Sequence, residues 1–107
     1  MNIFLSSITF FCLTFASQTI AQSIQFTFHN GSLKSIPLVI PTVMNPNLSP
    51  LSNSGISLNL GQNVYFYPNG TAKKRALLFT VDDTFLQNQV LEIDQLIEKR
   101  KKELKNN

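Results

Sequence analysis

Alternating apolar and polar residues predict β-strands along most of this chain. In residues 23–30, SIQFTFHN, every second residue is Ile or Phe until the run ends. This period of two is typical of a strand with one buried face. Residues 35–41, SIPLVIP, repeat the alternation, but Pro37 and Pro41 cannot donate backbone hydrogen bonds. We therefore expect the second strand to lie at a sheet edge.

The clearest pattern lies in residues 55–68, GISLNLGQNVYFYP, and it predicts a central hairpin. Apolar and polar residues alternate up to Leu60, and a β-branched and aromatic run occupies residues 64–67. Gly61 and Gln62 separate the two runs. Because glycine adopts positive φ without steric cost, this pair suits a type II′ turn between two paired strands.

Residues 42–54, TVMNPNLSPLSNS, predict a long ordered loop before the hairpin. Proline disfavours a central strand, and Asn and Ser side chains can bond their own backbone and so hold an irregular segment in one shape. A loop of this length in a small domain is often functional, so we expect it to form part of a contact surface.

The last third of the chain predicts another strand and then a helix. Residues 76–81, ALLFTV, are apolar on both faces, which favours a strand that is covered on both sides. Residues 90–93 fit a short strand, and Asp94 is the predicted N-cap of a helix that ends near Lys105. The narrow apolar stripe of that helix consists of Leu96, Ile97, Arg100 and Leu104.

Together these patterns predict a mainly β fold, a small antiparallel β-sandwich or half-open barrel of about five or six strands with one C-terminal helix. We assign residues 1–21 to a signal peptide and residues 22–93 to the β domain. Residues 94–107 form a basic amphipathic helix that packs on the β domain or extends from it. The strand connectivity is left open.

The N-terminal segment predicts export to the periplasm or the outside of the cell. Residues 3–16 are apolar apart from small hydroxyl residues, and the run is shorter than the roughly 20 residues of a membrane span. Thr19 and Ala21 suit the −3 and −1 positions of a cleavage site. No Lys or Arg precedes the apolar run, so retention as an anchor is the alternative. We expect contact with a membrane only through this segment, if it is kept.

The residues available for chemistry argue against an enzyme. The one cysteine, Cys12, lies in the predicted signal, so the mature chain has no disulfide, thiol nucleophile or cysteine metal site. His29 is the one histidine, and its spacing to other residues predicts no catalytic partner. Asp82 and Asp83 are adjacent, so in a strand they would point to opposite faces, and we expect a turn there. We therefore expect no catalytic residue, metal site or cofactor.

A binding surface is a better expectation than an active site. The loop supplies exposed amides, and Tyr65 and Tyr67 lie on the strand face opposite Val64 and Phe66. The two rings form a flat amphipathic platform if that face meets solvent, or core residues with hydroxyls at the rim if it is covered. The predicted surface consists of Asn45, Asn47, Asn53, Tyr65 and Tyr67.

The basic residues form a second candidate surface. The net charge of the chain is +3, and seven of its Lys and Arg residues lie in two clusters. This patch consists of Lys73, Lys74, Arg75, Lys99, Arg100, Lys101 and Lys102. Glu98 and Glu103 flank the second cluster and no base-stacking motif accompanies it, so the pattern favours a solvated helix face over a nucleic-acid partner.

One longer stretch resembles a known group of proteins. Residues 41–66, PTVMNPNLSPLSNSGISLNLGQNVYF, are followed by a basic turn, an LLFTV strand and an IDQLIEKRKKEL tail. This arrangement resembles a group of small uncharacterised secreted bacterial proteins, and MNPNLSP followed by SNSG is its most specific part. The resemblance implies an exported bacterial protein and implies no mechanism.

We therefore expect an exported, non-enzymatic binding or accessory module that acts in the periplasm or at the cell surface. Its partner would be an envelope protein or a glycan. The alternative is a structural or assembly component of an envelope complex that docks through its basic C-terminal helix.

Overall fold

A computed structural model describes residues 23–106, which fold into two β-sheets and one helix. The strands are β1 (Ser23–Asn30), β2 (Ile36–Val39), β3 (Asn47–Leu48), β4 (Ser52–Asn59), β5 (Asn63–Phe66), β6 (Ala76–Thr80) and β7 (Gln89–Glu92), and the helix α1 is Ile93–Lys105. The predicted mainly β fold with a C-terminal helix is confirmed. The described residues hold seven strands where about five or six were expected. The predicted signal peptide, residues 1–21, lies outside the described residues.

The strands divide into a three-stranded sheet 1, in the order β4-β1-β7, and a four-stranded sheet 2, in the order β3-β2-β5-β6. All pairings are antiparallel except that of β1 with β7, which is parallel. The chain just before β7 explains this exception. Asn88 N–H donates to the carbonyl of Gln25 (2.8 Å), and Gln25 N–H donates to Gln87 Oε1 (3.0 Å). These bonds place the first residue of β7, Gln89, beside Phe26 of β1. From there the two strands run in the same direction, towards α1.

One hydrophobic core lies between the sheets. The predicted alternation of β1 is confirmed, since Ile24, Phe26 and Phe28 are buried. The Phe28 ring packs against Phe26 (centroids 6.0 Å apart) and, edge to face, against Phe79 of β6 (6.2 Å), which links the two sheets. The buried members of the core are Ile24, Phe26, Phe28, Ile56, Leu58 and Leu91 of sheet 1, Leu38, Leu48, Val64, Phe66 and Leu78 of sheet 2, and Ile40, Val81 and Ile93 outside them.

The predicted central hairpin is wrong, because β4 and β5 belong to different sheets. β4 pairs with β1 along its full length, whereas β5 lies between β2 and β6. Gly61 has the expected positive φ of 92°, but it is the third residue of a turn in which Gln62 N–H donates to the carbonyl of Asn59 (3.2 Å). Positive φ at the third position is the requirement of a type II turn, and such turns splay strands apart. Leu60, expected on the buried face, is 40% exposed.

The crossing between the sheets is fixed by the end of β6. Gly61 N–H donates to the carbonyl of Val81 (2.8 Å), and Val81 N–H donates to the carbonyl of Gln62 (2.9 Å). The chain that leaves β4 is therefore bound to sheet 2 before β5 begins. The apolar faces of β4 and β5 then meet across the core instead of lying side by side.

The second strand is not the sheet edge that its prolines predicted. β2 lies between β3 and β5, and the two-residue β3 is the edge. Leu38 N–H donates towards β3, to the carbonyl of Pro46 (2.8 Å). Successive N–H groups point to opposite sides of a strand, so the nitrogen of Pro37 faces β5. The pairing of β2 with β5 ends at Leu38 with Phe66, so Pro37 lies one residue beyond it. Pro37 is tolerated because no ladder bond is required of it there.

Residues 42–54 are less loop-like than predicted. Ile40 and Met44 form an isolated bridge with hydrogen bonds in both directions (2.8 and 3.0 Å), and β3 follows at Asn47. β4 begins at Ser52, so Asn53 lies within a strand. The eight-residue β1 accounts for the difference, because its last residues pair with Ser52 and Asn53.

β6 carries apolar residues on both faces, and a bulge interrupts its pairing with β5. Val64 pairs with Phe79 and Tyr65 with Leu77, which leaves Leu78 as an extra residue opposite the step from Val64 to Tyr65. Phe79 faces the core and Leu78 is buried, whereas Leu77 is half-buried on the outer side.

The C-terminal helix packs on the β domain through its first turns. Ile93 is fully buried, and Leu96 and Ile97 pack against the core. Asp94 is not the N-cap that was predicted; Glu92 occupies that position without a side-chain bond. The Asp94 carboxylate instead accepts a hydrogen bond from Gly31 N–H (3.1 Å), which ties α1 to the residue after β1.

One buried polar side chain, Asn30, connects the two sheets. Asn30 ends β1 and is fully buried. Its side-chain Nδ2 lies within hydrogen-bond distance of the carbonyls of Lys34 (2.8 Å), Leu48 in β3 (3.2 Å) and Ser49 (3.1 Å), which share its two protons. Its Oδ1 accepts from Ser32 N–H (2.9 Å) and the Ser32 hydroxyl (2.7 Å). The Asn30 side chain therefore holds sheet 1, the edge of sheet 2 and the loop between β1 and β2 in one arrangement.

The first prediction concerns this amide. Asn30→Ala should lower the free energy of unfolding by about 2–4 kcal/mol, because buried carbonyl groups lose their donors. Asn30→Asp should lower the free energy of unfolding further at neutral pH, since a carboxylate would face those carbonyls. The difference in unfolding free energy from the parent chain should become smaller at acid pH, where the carboxylate is protonated. Urea unfolding measures both, with the exposed Asn45→Ala as control. Equal stability of Asn30→Ala and the parent chain would contradict the assignment.

The second prediction concerns the crossing turn. Gly61→Ala should lower the free energy of unfolding by about 1–2 kcal/mol, because a φ of 92° strains any residue with a Cβ atom. Gly55→Ala is the matched control, since a Cβ at Gly55 meets nothing within 4 Å and Gly weakens a strand. It should be neutral or slightly stabilising in thermal unfolding. If both variants had the same effect, the turn geometry would be wrong.

Candidate functional site

A cleft of about 530 Å³ lies between α1 and the loops that flank β2 and β5. Its apolar lining comes from Ile36 of β2, Phe66 of β5 and Ile97 of α1. Ile36 and Ile97 are half-buried members of the periphery of the core. The cleft therefore opens directly onto the packed interior of the sandwich.

Charged and aromatic side chains surround this apolar lining. Lys34 and Lys101 bring two cationic groups, Asp94 and Glu98 bring carboxylates, and Tyr67 brings a half-buried ring. Within residues 23–106, Arg100 is the one Lys or Arg side chain that pairs with a carboxylate, that of Glu103, so neither lysine of the cleft is paired in this region. The arrangement can hold an apolar group while ammonium groups face an anionic part of the same ligand.

The local sequence explains why the walls keep their shape. The Ser32 hydroxyl shares its one proton between Oδ1 of Asn30 (2.7 Å) and the carbonyl of Lys34 (3.0 Å), so the wall at residues 32–35 is anchored on the buried amide. On the opposite wall β5 ends at Phe66, and a turn follows in which Gly70 has a φ of 101°. Pro68 cannot extend the strand ladder, which turns this wall away from β2.

The five residues of the predicted binding surface do not gather in one place. Tyr67 lines the cleft, while Asn45 and Asn47 are exposed on the segment around β3. Oδ1 of Asn53 lies 2.7 Å from Nδ1 of His29 in sheet 1. Tyr65 is half-buried under the guanidinium of Arg75, whose Cζ is 4.8 Å from the ring centroid. This cation–π contact covers one face of the ring, so the two tyrosines do not form one open platform.

The predicted basic patch is divided in the same way. Arg75 lies on Tyr65, and Arg100 donates from Nε to the carbonyl of Leu77 (2.8 Å) and from a terminal nitrogen to Glu103 (3.1 Å). Lys101 lines the cleft described above. The remaining members are exposed; Lys73 and Lys74 lie before β6, and Lys99 and Lys102 line a second depression of about 410 Å³ beside α1.

His29 lies in a polar cluster at the end of β1. Its Nδ1 contacts Asn53, and its Nε2 lies 3.8 Å from Oε1 of Glu92. Within the described chain, no three His, Cys, Asp or Glu side chains are placed to hold a metal ion.

Asp82 lies in a local turn two residues after the end of β6. Its Oδ1 accepts hydrogen bonds from the hydroxyl (2.5 Å) and the N–H (3.0 Å) of Thr84. The hydroxyl bond first, and then the backbone bond, lower the pKa of the Asp82 carboxyl from its usual 3.8. The carboxylate is thus used to shape the turn, as the adjacent pair of aspartates indicated.

Lys34, Asp94 and Ile97 are cleft residues that sequence reasoning did not select as site residues. Lys34 lies in the loop between β1 and β2, whereas Asp94 and Ile97 lie three positions apart on α1. No pattern in the sequence relates that loop to the helix. The sequence shows only that Lys34 is a single charged residue directly before the apolar strand of residues 35–41. Their convergence depends on where α1 packs.

Comparison with protein families, curated proteins and solved structures returned no match for this sequence. Among residues 23–106, α1 is too short and too polar to cross a membrane, and no other helix there meets that requirement.

A third prediction tests the turn at Asp82. Thr84→Val should raise the pKa of Asp82 towards 3.8, because it removes the hydroxyl bond that lowers the pKa most. NMR titration of the Asp82 carboxyl measures this, with Thr80→Val as control. The pKa of Asp82 is lower in the folded chain than in the unfolded chain, so its ionised carboxylate stabilises the fold above pH 3.8. This stabilisation is lost as the pH falls through the folded-state pKa. An unchanged Asp82 pKa in Thr84→Val would refute the assigned cause.

Proposed function

We propose that this protein is an exported, non-enzymatic binding module that takes a peptide segment of an envelope protein into the cleft between α1 and sheet 2. The observation that carries the proposal is the pairing of an apolar lining, at Ile36 and Ile97, with two lysines outside any ion pair of the described chain. Export rests on the apolar residues 3–16 and the small residues before position 22.

The lining favours a peptide over a glycan. Sugars stack on open aromatic faces, whereas Tyr67 is half-buried and its neighbours in the cleft include Pro37 and Pro68. A large apolar side chain next to an acidic group matches Ile36, Lys34 and Lys101 together. Asp94 and Glu98 would then disfavour ligands with a second anionic group nearby, which would add specificity.

The fourth prediction uses N-acetyl-phenylalanine, which carries one ring and one carboxylate, as the probe. At roughly 0.3 kcal/mol per heavy atom, a probe of about 15 heavy atoms gains about 4.5 kcal/mol, which corresponds to a Kd near the millimolar range. Titration followed by NMR of ¹⁵N-labelled protein should shift the amide signals around Lys34, Tyr67 and Lys101. The uncharged N-acetyl-phenylalaninamide should bind more weakly, because it lacks the carboxylate.

Matched variants make the titration specific. Tyr67→Ala and Lys101→Ala should weaken probe binding, whereas Tyr65→Ala and Lys99→Ala, which change the same residue types outside the cleft, should leave it unchanged. Shifts that cluster elsewhere, or equal effects of the two pairs of variants, would refute the cleft as the binding site.

The second candidate function is assembly into an envelope complex through α1. Lys99 and Lys102 favour it, because both are exposed on the helix and neither forms an ion pair within residues 23–106. Surface charges of this kind guide association without contributing to the fold.

The fifth prediction separates the two functions. The double variant Lys99→Glu, Lys102→Glu keeps Arg100, which binds the Leu77 carbonyl and would be lost in a truncated chain. If assembly is the role, this variant should lose the proteins that co-purify with the tagged chain from its own envelope, with unchanged thermal unfolding. If binding in the cleft is the role, the co-purifying proteins should be lost from Tyr67→Ala and kept by the double lysine variant.

A further inference from the structure

The outer edge of β4 is the most open sheet edge in the described chain. β4 is an edge strand of sheet 1 and is eight residues long. The other edge strands are shorter: β3 has two residues, β7 has four, and β6 has five. β6 is also partly covered, since Arg100 donates to its Leu77 carbonyl.

The hydrogen bonds of β1 show which groups of β4 point outwards. Gln25 uses both its N–H and its carbonyl towards the β7 side, with Gln87 and Asn88. Because both groups of an antiparallel residue point to the same side, Gln25 makes no ladder bond to its β4 partner Ser57. The backbone groups of Ser57 therefore face outwards.

The same alternation assigns the neighbours of Ser57. Gly55 and Asn53 also direct their N–H and carbonyl groups to the open edge. Asn59 confirms the phase, because its N–H donates to Oε1 of Gln62 (2.8 Å) and its carbonyl accepts from Gln62 N–H (3.2 Å). Gln62 thus covers one end of the edge, and Asn53, Gly55 and Ser57 remain open to a further strand.

This edge lacks the devices that usually prevent strand addition. β4, SNSGISLN, contains no charged residue and no proline. Asn53, Gly55 and Ser57 are all exposed, and a Cβ atom built at Gly55 meets nothing within 4 Å. A second strand can approach without a steric or electrostatic barrier from residues 23–106.

We propose that β4 pairs with β4 of a second copy of this chain, antiparallel, about a twofold axis at Gly55. In this register Gly55 opposes Gly55 of the second copy, and Asn53 opposes Ser57. In this register each residue that points its N–H and carbonyl outwards lies opposite another such residue. Each opposed pair can therefore exchange two backbone hydrogen bonds. The result is one continuous six-stranded sheet built from two copies of sheet 1.

Charge favours a second copy over a foreign peptide. An uncharged edge offers nothing to select a charged peptide, and two identical uncharged edges do not repel each other. The basic residues of α1 follow β7, at the opposite edge of sheet 1, so the net charge of +3 is not concentrated at the interface. A twofold contact between identical patches also closes on itself, so pairing through β4 stops at two copies. This inference is independent of the cleft.

Sedimentation equilibrium of the full expressed chain, with a reducing agent so that Cys12 cannot form a cross-link, tests the pairing. The parent protein should self-associate to a dimer with rising concentration. Gly55→Lys should raise the dimer dissociation constant by about fivefold, because like charges would lie directly opposite across the axis. Gly55→Ala should leave that constant unchanged.

A charge-rescue experiment tests the register. Gly55→Lys mixed with Gly55→Glu should form heterodimers more tightly than either variant forms homodimers, since opposite charges would then face each other. Ser57→Lys, which faces Asn53 in the second copy, provides an independent variant if Gly55→Lys folds poorly in circular dichroism. A chain that stays monomeric at millimolar concentration, or a dimer that is insensitive to both lysine variants, would overturn the proposal. Binding of foreign peptides to the edge of a monomeric chain would also overturn it.

Discussion

The side-chain amide of Asn30 is the constraint on which both the sandwich and the cleft depend. A buried carboxamide costs free energy unless its donors and acceptor are used, and here they bind Leu48, Ser49, Lys34 and Ser32. These partners lie at the β3 edge of sheet 2, in the residue after β3, and in the loop between β1 and β2. An apolar core alone allows two sheets to slide past one another, whereas a fully bonded amide at the end of β1 allows one arrangement. Residues 23–106 contain no cysteine, so a disulfide between them cannot supply this restraint.

Strand faces were predictable from this sequence, and strand partners were not. The alternation at Ile24, Phe26 and Phe28 indicates which side of β1 is buried, because burial follows the period of two. The same alternation in β4 and β5 fits paired strands or strands that face each other across a core. The end of β6 decides between these arrangements, through the bonds of Val81 to Gly61 and Gln62. That contact lies some twenty positions away along the chain and leaves no periodic signal.

The candidate site shows the same limit. Tyr67 was selected because the strand alternation puts it on the face opposite Val64 and Phe66, and it does line the cleft. Lys34 and Ile97 were not selected as site residues, because they come together only after α1 packs against the loop between β1 and β2. Asp94 illustrates the point: a helix-start signal in the sequence becomes a link between α1 and Gly31 in the fold. Local patterns indicate what a residue can do, and tertiary packing determines which partner it finds.

Hydrogen exchange of the Asn30 side-chain amide tests this account most directly. The account predicts that both Asn30 carboxamide protons, followed by NMR, exchange only in the global unfolding reaction, as slowly as the central backbone amides of β1. The carboxamide of the exposed Asn45 should exchange at the rate of a free side chain. Exchange of Asn30 as fast as that of Asn45 would contradict the account, because the two sheets and the cleft wall would then lack their common restraint.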